Sequence, residues 1–167
     1  MRYNNILLIN VPIRVNAQPN VVPTGVGILA SLIEQAGCNC DVVDLNAIRP
    51  EVSITRTEEI LQSFDIDYEM IGISGMITTL KWQKVIARMC RKIWPQSSIV
   101  SGGGLASDFG TTLFDWIPEL DCVVQGEGER IISRIIKEEV DLRHLKRSLG
   151  PEIVENLDMV PTIHWKK

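Results

Sequence analysis

The sequence has no apolar run long enough to cross a bilayer, and its longest stretches, such as residues 6–9, are strand-sized. It also has no excess of basic charge. With 17 Lys and Arg against 21 Asp and Glu the net charge is -4, so no global positive field exists to hold nucleic acid or an anionic membrane. Residues 1–5 lead into the first apolar stretch without a signal-peptide cleavage pattern, and a cytoplasmic location is expected. The four cysteines, Cys38, Cys40, Cys90 and Cys122, are too few and too irregularly spaced for a disulfide framework or a four-cysteine zinc site. Reduced core thiols are expected instead, although Cys38 and Cys40 form a C-x-C pair able in principle to bind a soft metal.

What is present is an alternation. Five runs rich in Ile, Val or Leu, at residues 6–10, 40–44, 70–74, 98–102 and 122–125, are nearly continuous in hydrophobicity. Such runs suit strands buried on both faces, hence parallel ones. Helical periodicity fills the spacers. Thr24 is placed to cap a helix over 25–35, and residues 57–64 read as a second. Thr79 is placed to cap a third, with Trp82, Val85, Ile86, Met89 and Ile93 on one side and Lys81, Lys84, Arg88 and Arg91 largely on the other. Helices over 108–116 and 129–138 complete a βα order that predicts an α/β domain with a doubly wound, five-stranded parallel sheet. Residues 1–140 are assigned to this domain. The charged stretch after Val140 is assigned to a C-terminal extension or linker, residues 141–167.

Open α/β sheets bind ligands beyond the carboxyl ends of their strands, so the residues after each strand are the informative ones. Strand three is followed by Gly75-Met76-Ile77-Thr78-Thr79, strand four runs into Gly102-Gly103-Gly104-Leu105-Ala106-Ser107, and strand five into Gly126-Glu127-Gly128-Glu129. Glycine permits close backbone approach and positive φ, and the following amides can donate hydrogen bonds. Glycine is also common in plain turns; three such edges together point toward a rim for a broad, planar ligand.

Here a resemblance becomes specific. Pro23-Thr24-Gly25-Val26-Gly27-Ile28-Leu29-Ala30, then Asp44-Leu45-Asn46, Gly72-Ile73-Ser74-Gly75-Met76, the Gly102-Gly103-Gly104 loop and Gly126-Glu127-Gly128-Glu129 occur in the order found in one family. In that order they resemble the amino-terminal cobalamin-binding domain of cobalamin-dependent radical S-adenosylmethionine enzymes. Asn156-Leu157-Asp158-Met159-Val160-Pro161 is similar to the linker leading toward that family's catalytic barrel. The resemblance implies a Rossmann-like cobalamin-binding fold with a cobalamin-type corrinoid on the strand ends. It implies a rim of Pro12, Ser74, Gly75, Met76, Thr78, Thr79, Gly102, Gly103, Gly104, Leu105, Ser107, Gly126, Glu127 and Gly128. Ser74, Thr78, Thr79 and Ser107 would donate to the corrin amides or tail, and the nucleotide tail would enter beside the sheet. Glu127 and Glu129 would accept from ring amides, or serve simply as carboxylates facing a helix dipole. On this reading Gly103→Val abolishes corrinoid retention and leaves the fold intact.

Two departures qualify the expected role. Corrinoid domains that ligate cobalt through histidine carry D-x-H-x-x-G after the first strand, whereas this chain has Val11-Pro12-Ile13-Arg14, and its two histidines, His144 and His164, lie beyond the fifth run. Histidine ligation is therefore not expected. None of the cysteines shows the spacing, by three and then two residues, that holds the family's iron-sulfur cluster. A cofactor-binding domain that is not active alone is expected, served by a radical S-adenosylmethionine domain or protein in trans. The alternatives are a dinucleotide-binding domain, suggested by Gly25-Val26-Gly27-Ile28-Leu29-Ala30 but separated from strand one by a long loop, and a non-catalytic interaction module. A phosphoacceptor receiver is excluded, because Ser74 and Gly75 stand where its aspartate belongs.

Overall fold

The computed structural model describes residues 3–16, 21–142, 146–156, 158 and 160–163. Six parallel strands form one sheet in the order β2-β1-β3-β4-β5-β6. They are β1 (Asn5–Asn10), β2 (Asn39–Asp44), β3 (Met70–Ser74), β4 (Ser98–Gly102), β5 (Cys122–Gly126) and β6 (Arg147–Glu152). Six helices flank them: α1 (Thr24–Gln35), α2 (Ile54–Gln62), α3 (Leu80–Ile93), α4 (Gly104–Phe109), α5 (Leu113–Trp116) and α6 (Gly128–Ile136). Among the described residues no helix is long and apolar enough to cross a membrane.

The continuous apolar runs are strands because both faces are covered, and the pleat divides each run between two cores. In β1, Leu7 and Ile9 face a cluster that includes Leu61 of α2, Ile86 and Cys90 of α3, Leu105 of α4 and Leu113 of α5. Ile6 and Leu8 face a second cluster, with Val26 and Ile33 of α1 and Ile131 and Ile135 of α6. The chain thus winds one way from β1 to β2 and the other way from β3 onward, leaving the direction to switch between β1 and β3.

The sheet has six strands where five were expected. Arg147–Glu152 pairs in parallel with β5, with a register shift between Val124 and Gly126. Its sequence, RSLGPE, carries no apolar run, because an edge strand is covered less than a central one and tolerates proline.

The helices differ from expectation in detail: Thr79 precedes α3 but makes no side-chain cap bond, and α6 runs Gly128–Ile136 rather than over 129–138. Thr24 does not cap α1 but is its first residue; Pro23 precedes it, no side chain caps the helix, and the Pro23 carbonyl accepts from the Gly27 N–H at 2.9 Å. Helix α2 begins earlier because Ser53 caps it, accepting from the Arg56 N–H at 3.1 Å. The single helix expected over 108–116 is broken into α4 and α5 at Gly110, whose φ is +49 and where a Cβ would lie 2.9 Å from Gln125 Nε2.

Candidate functional site

A cavity of about 300 Å³ opens at the carboxyl ends of the strands and runs down the face covered by α1 and α6. Its floor is Leu8, Met70, Val100 and Val124, and its sides are Val26 and Leu29 of α1 and Ile131, Ile132 and Ile135 of α6. Missing side chains create the space. Gly72, Gly102 and Gly126 all line it from the sheet, and Gly25 and Gly128 line it from the first turns of α1 and α6. Gly72 follows Met70 by two residues and Gly102 follows Val100 by two, so each falls on the same face as an apolar neighbour. At Gly25 and Gly102 a Cβ would meet nothing within 4 Å, so both edges border open space.

The rim is built from three fastened loops. The Leu105 N–H donates to the Gly75 carbonyl at 3.1 Å, joining the loop after β3 to the start of α4. Ser107 Oγ donates to the Gly103 carbonyl at 3.1 Å and accepts from the Gly126 N–H at 3.0 Å, joining α4 to the end of β5. Below the β3 loop lies a buried polar chain: Ser101 Oγ donates to Gln83 Oε1 at 3.2 Å, and Gln83 Nε2 donates to Thr79 Oγ1 at 3.3 Å. Thr79 Oγ1 in turn donates to the Met76 carbonyl at 2.8 Å and accepts from the Met76 N–H at 3.0 Å. A comparable polar knot holds the loop after β1. Asn46 Nδ2 donates to the Val11 carbonyl at 3.0 Å, and Asn46 Oδ1 accepts from the Ile13 N–H at 2.9 Å.

Of the residues singled out from the sequence, Ser74, Gly102, Gly103, Gly126, Glu127 and Gly128 line the cavity. Met76, Thr78 and Gly104 stand exposed on the rim. Pro12, Thr79 and Leu105 are buried beneath it, and the side-chain oxygen of Thr79 is committed to the Met76 backbone. Gly75 packs against Thr79, Gln83 and Val11, while Ser107 is the fastener just described. His144 and His164 lie outside the described residues.

Gly103 carries a correction. Its φ is +82, and a Cβ would lie 2.9 Å from the Gly75 carbonyl oxygen and 3.1 Å from Ser74 Oγ. Gly103→Val therefore strains the backbone and should destabilise the fold as well as the rim. Gly72, which carries part of the resemblance but is not among the expected rim residues, and the apolar walls also line the cavity; the available signal was glycine recurring in phase with the pleat of β3 and β4.

Among the described residues no group with a displaced pKa lines this cavity, although Cys122 belongs to the core cluster that forms its floor and walls. Burial pushes the Cys90 and Cys122 thiols up to about 12. Burial, and then the Asp41 carboxylate that accepts from its hydroxyl at 2.8 Å, hold the Tyr68 phenol above its ordinary value. The C-x-C pair is structural at Cys38, where the buried thiol donates to the Tyr3 carbonyl at 2.9 Å. Among the described residues no group of three His, Cys, Asp or Glu side chains comes together as a metal site.

A parallel sheet with an apolar slot at its topological switch, rimmed by glycine loops, defines a ligand-binding α/β domain of Rossmann-like type. The chain belongs to the B12 binding domain family, whose model matches residues 11–136, and cobalamin is its cofactor. It is 26% identical over 134 residues to an uncharacterized methyltransferase, PH0819, of Pyrococcus horikoshii, a match spanning 80% of this chain and 28% of that protein. Two solved structures share the fold. One is the radical S-adenosylmethionine methyltransferase TsrM from Kitasatospora setae, with a TM-score of 0.64 and 20% identity over 83% of this chain and 26% of that one. The other is the cobalamin-dependent S-adenosylmethionine radical enzyme OxsB, with a TM-score of 0.66 and 18% identity over 96% of this chain and 24% of that one. The chain spans about a quarter of the length of these relatives.

The residues present fit such a cofactor. The open edges at Gly25 and Gly102 form a cradle that side chains would fill, and about 300 Å³ lies at the lower end of the volumes, roughly 300–1,000 Å³, that hold small molecules.

Proposed function

We propose that this chain holds cobalamin as the cofactor module of a radical S-adenosylmethionine methyltransferase-like system, with the corrin ring over the strand ends and the nucleotide tail in the α1/α6 cavity. The observation that carries this reading is a slot of about 300 Å³ with apolar walls that opens at strand ends lined by Gly102, Gly103, Gly126 and Gly128. An aromatic base gains by leaving water for such walls, at about 25 cal/mol per Å² of apolar surface buried.

On this reading Gly102 and Gly103 allow the ring to approach the backbone closely, and Ser74 presents its hydroxyl at the mouth. Met76, Thr78 and Gly104 form the exposed shelf. Pro12, Gly75, Thr79 and Leu105 set its height from below, while Ser107 holds Gly126, Glu127 and Gly128 against the tail. The loop after β1 offers Val11, Pro12 and Ile13, so this loop would supply no imidazole to the cobalt of a bound corrinoid. When bound, the corrinoid supplies group-carrying cobalt chemistry. The chain's share is to bind it, orient it and keep water from the tail. The iron-sulfur half of the reaction then belongs to a radical S-adenosylmethionine domain outside these residues, as another segment or as a partner in trans. Cys38, Cys90 and Cys122 are buried and none of the four cysteines forms a disulfide, which accords with a reducing, cytoplasmic setting.

The test is retention of pigment. Purified protein mixed with hydroxocobalamin is passed over gel filtration, and the visible spectrum of the protein peak is read. Co-eluting corrin absorbance supports the proposal. Stabilisation by a nicotinamide or flavin dinucleotide with no retained corrin would replace it with a dinucleotide site, and no response to either would leave an interaction module.

A further inference from the structure

The cavity is polar at one end only. Ser74 closes β3, and Glu127 and Glu129 stand at the start of α6, so among the described residues every lining side chain with a nitrogen or oxygen lies by the carboxyl ends of the strands. Depth follows from chain direction. Met70 precedes Ser74 on the same face of β3, and at about 3.3 Å per residue it lies roughly 13 Å further in. Helix α6 begins at the polar end and runs inward, so Ile131 and Ile135 succeed one another down the wall. Below Ser74 the slot meets Leu8, Met70, Val100, Val124, Ile131 and Ile135, none of which carries a side-chain nitrogen or oxygen.

The backbone of the floor offers no partner either. Strands β1, β3 and β4 each lie between two others, and Gly72, at the middle of β3, stands in register with Leu8 on one side and Val100 on the other. Their N–H and C=O groups are taken up within the sheet. An apolar lining is ordinarily plain core, but a packed core closes on itself; here about 300 Å³ stays open against these side chains. Such a slot accepts an apolar edge and penalises a polar one, because a polar group that enters gives up water and finds no partner.

Resting on the cobalamin reading above, the slot receives the nucleotide tail, and complete corrinoids differ in the base that ends it. In dimethylbenzimidazole, the base of cobalamin, the ring farther from the ribose is all carbon and bears methyl groups. In adenine that ring holds nitrogens and an exocyclic amine. We infer that the slot selects complete corrinoids by their base, taking the benzimidazole and rejecting the purine, with Val100 and Val124 on the floor as specificity-determining residues. Threonine matches valine in shape and adds one hydroxyl, so it makes the floor polar with little change of volume.

The test titrates wild type, Val100→Thr and Val124→Thr with hydroxocobalamin, with the hydroxo cobamide whose base is adenine, and with hydroxocobinamide, which lacks the nucleotide, following the corrin absorbance. Wild type should bind hydroxocobalamin about 10-fold or more tighter than the adenine cobamide. Each threonine should narrow that ratio by about 3-fold or more, since its hydroxyl offers the purine a partner. The readout is a ratio within one protein, so a general loss of stability leaves it unmoved. Variants on two different strands keep the test decisive if one of them fails to fold.

Equal binding of the two complete corrinoids by wild type overturns the inference. So does a ratio that neither threonine changes, and so does cobinamide bound as tightly as hydroxocobalamin, which would leave the slot without a tail. Wild-type protein that retains none of the three corrinoids defeats the cobalamin reading instead, so the two failures are distinguishable.

Discussion

Two adjacent glycines of the rim should respond to substitution in opposite ways. At Gly103 the backbone has φ +82, and an added Cβ would press on the Gly75 carbonyl oxygen at 2.9 Å and the Gly75 nitrogen at 3.2 Å. Left-handed backbone costs an L-residue about 1–2 kcal/mol, and neither contact is the end of a flexible side chain, so Gly103→Ala should destabilise by about 2–4 kcal/mol in total. For a chain of 167 residues that lowers Tm by about 5–15 °C.

Gly102 has no positive φ and nothing within 4 Å of its Cβ position. It ends β4, where a larger side chain suits the extended backbone, so Gly102→Leu should change stability by less than about 1 kcal/mol. Its side chain would instead occupy the mouth of the cavity. Urea unfolding measures the stability of each variant, and thermal shift with hydroxocobalamin measures binding. The expected pattern is a destabilised Gly103→Ala and a stable Gly102→Leu that loses the cobalamin-induced shift. The reasoning fails if Gly103→Ala unfolds at the wild-type urea concentration. The cavity mouth is wrongly placed if Gly102→Leu binds like wild type.

Further outcomes follow from the core. Gln83→Leu removes the partner of the buried Ser101 hydroxyl, while Thr79 keeps its bonds to Met76, and should cost about 1–3 kcal/mol in urea unfolding; an undiminished midpoint would mean the chain of hydrogen bonds is not stabilising. Cys90 and Cys122 are raised from 9.0 to about 12 by burial, so above pH 9 the unfolded chain loses thiol protons that the folded chain retains. Their stabilising effect is whole below pH 9 and fades as pH rises toward 12. Between pH 8 and pH 10 the two thiols together should remove about 2–3 kcal/mol. A Cys90→Ala, Cys122→Ala double variant should show a shallower decline over that window, and an unaltered decline would assign the alkaline loss to other groups.

The central strands were legible because burial on both faces demands near-continuous Ile, Val and Leu, and no other local pattern competes with that demand. Residues 70–74 and 98–102, read as strands from hydrophobicity alone, are β3 and β4 without adjustment. Edges and breaks were harder to read. Strand β6 has no apolar signature because it pairs through its backbone on one side only, and the break between α4 and α5 falls at Gly110, whose missing side chain makes room for Gln125, fifteen positions further on.

The site divides in the same way. Local sequence marked the glycine edges of the rim, because close approach and positive φ are properties of single residues. It could not say that Thr79 spends its hydroxyl on Met76, that Ser107 bridges two loops, or that Glu129 is left with an unpaired oxygen, since each depends on residues brought together by the crossovers. Hydrophobic pattern therefore determined the parallel sheet, and with it the end at which a ligand binds. Tertiary packing decided which face holds the cavity, because the in-phase glycines become a hollow only once α1 and α6 close over them.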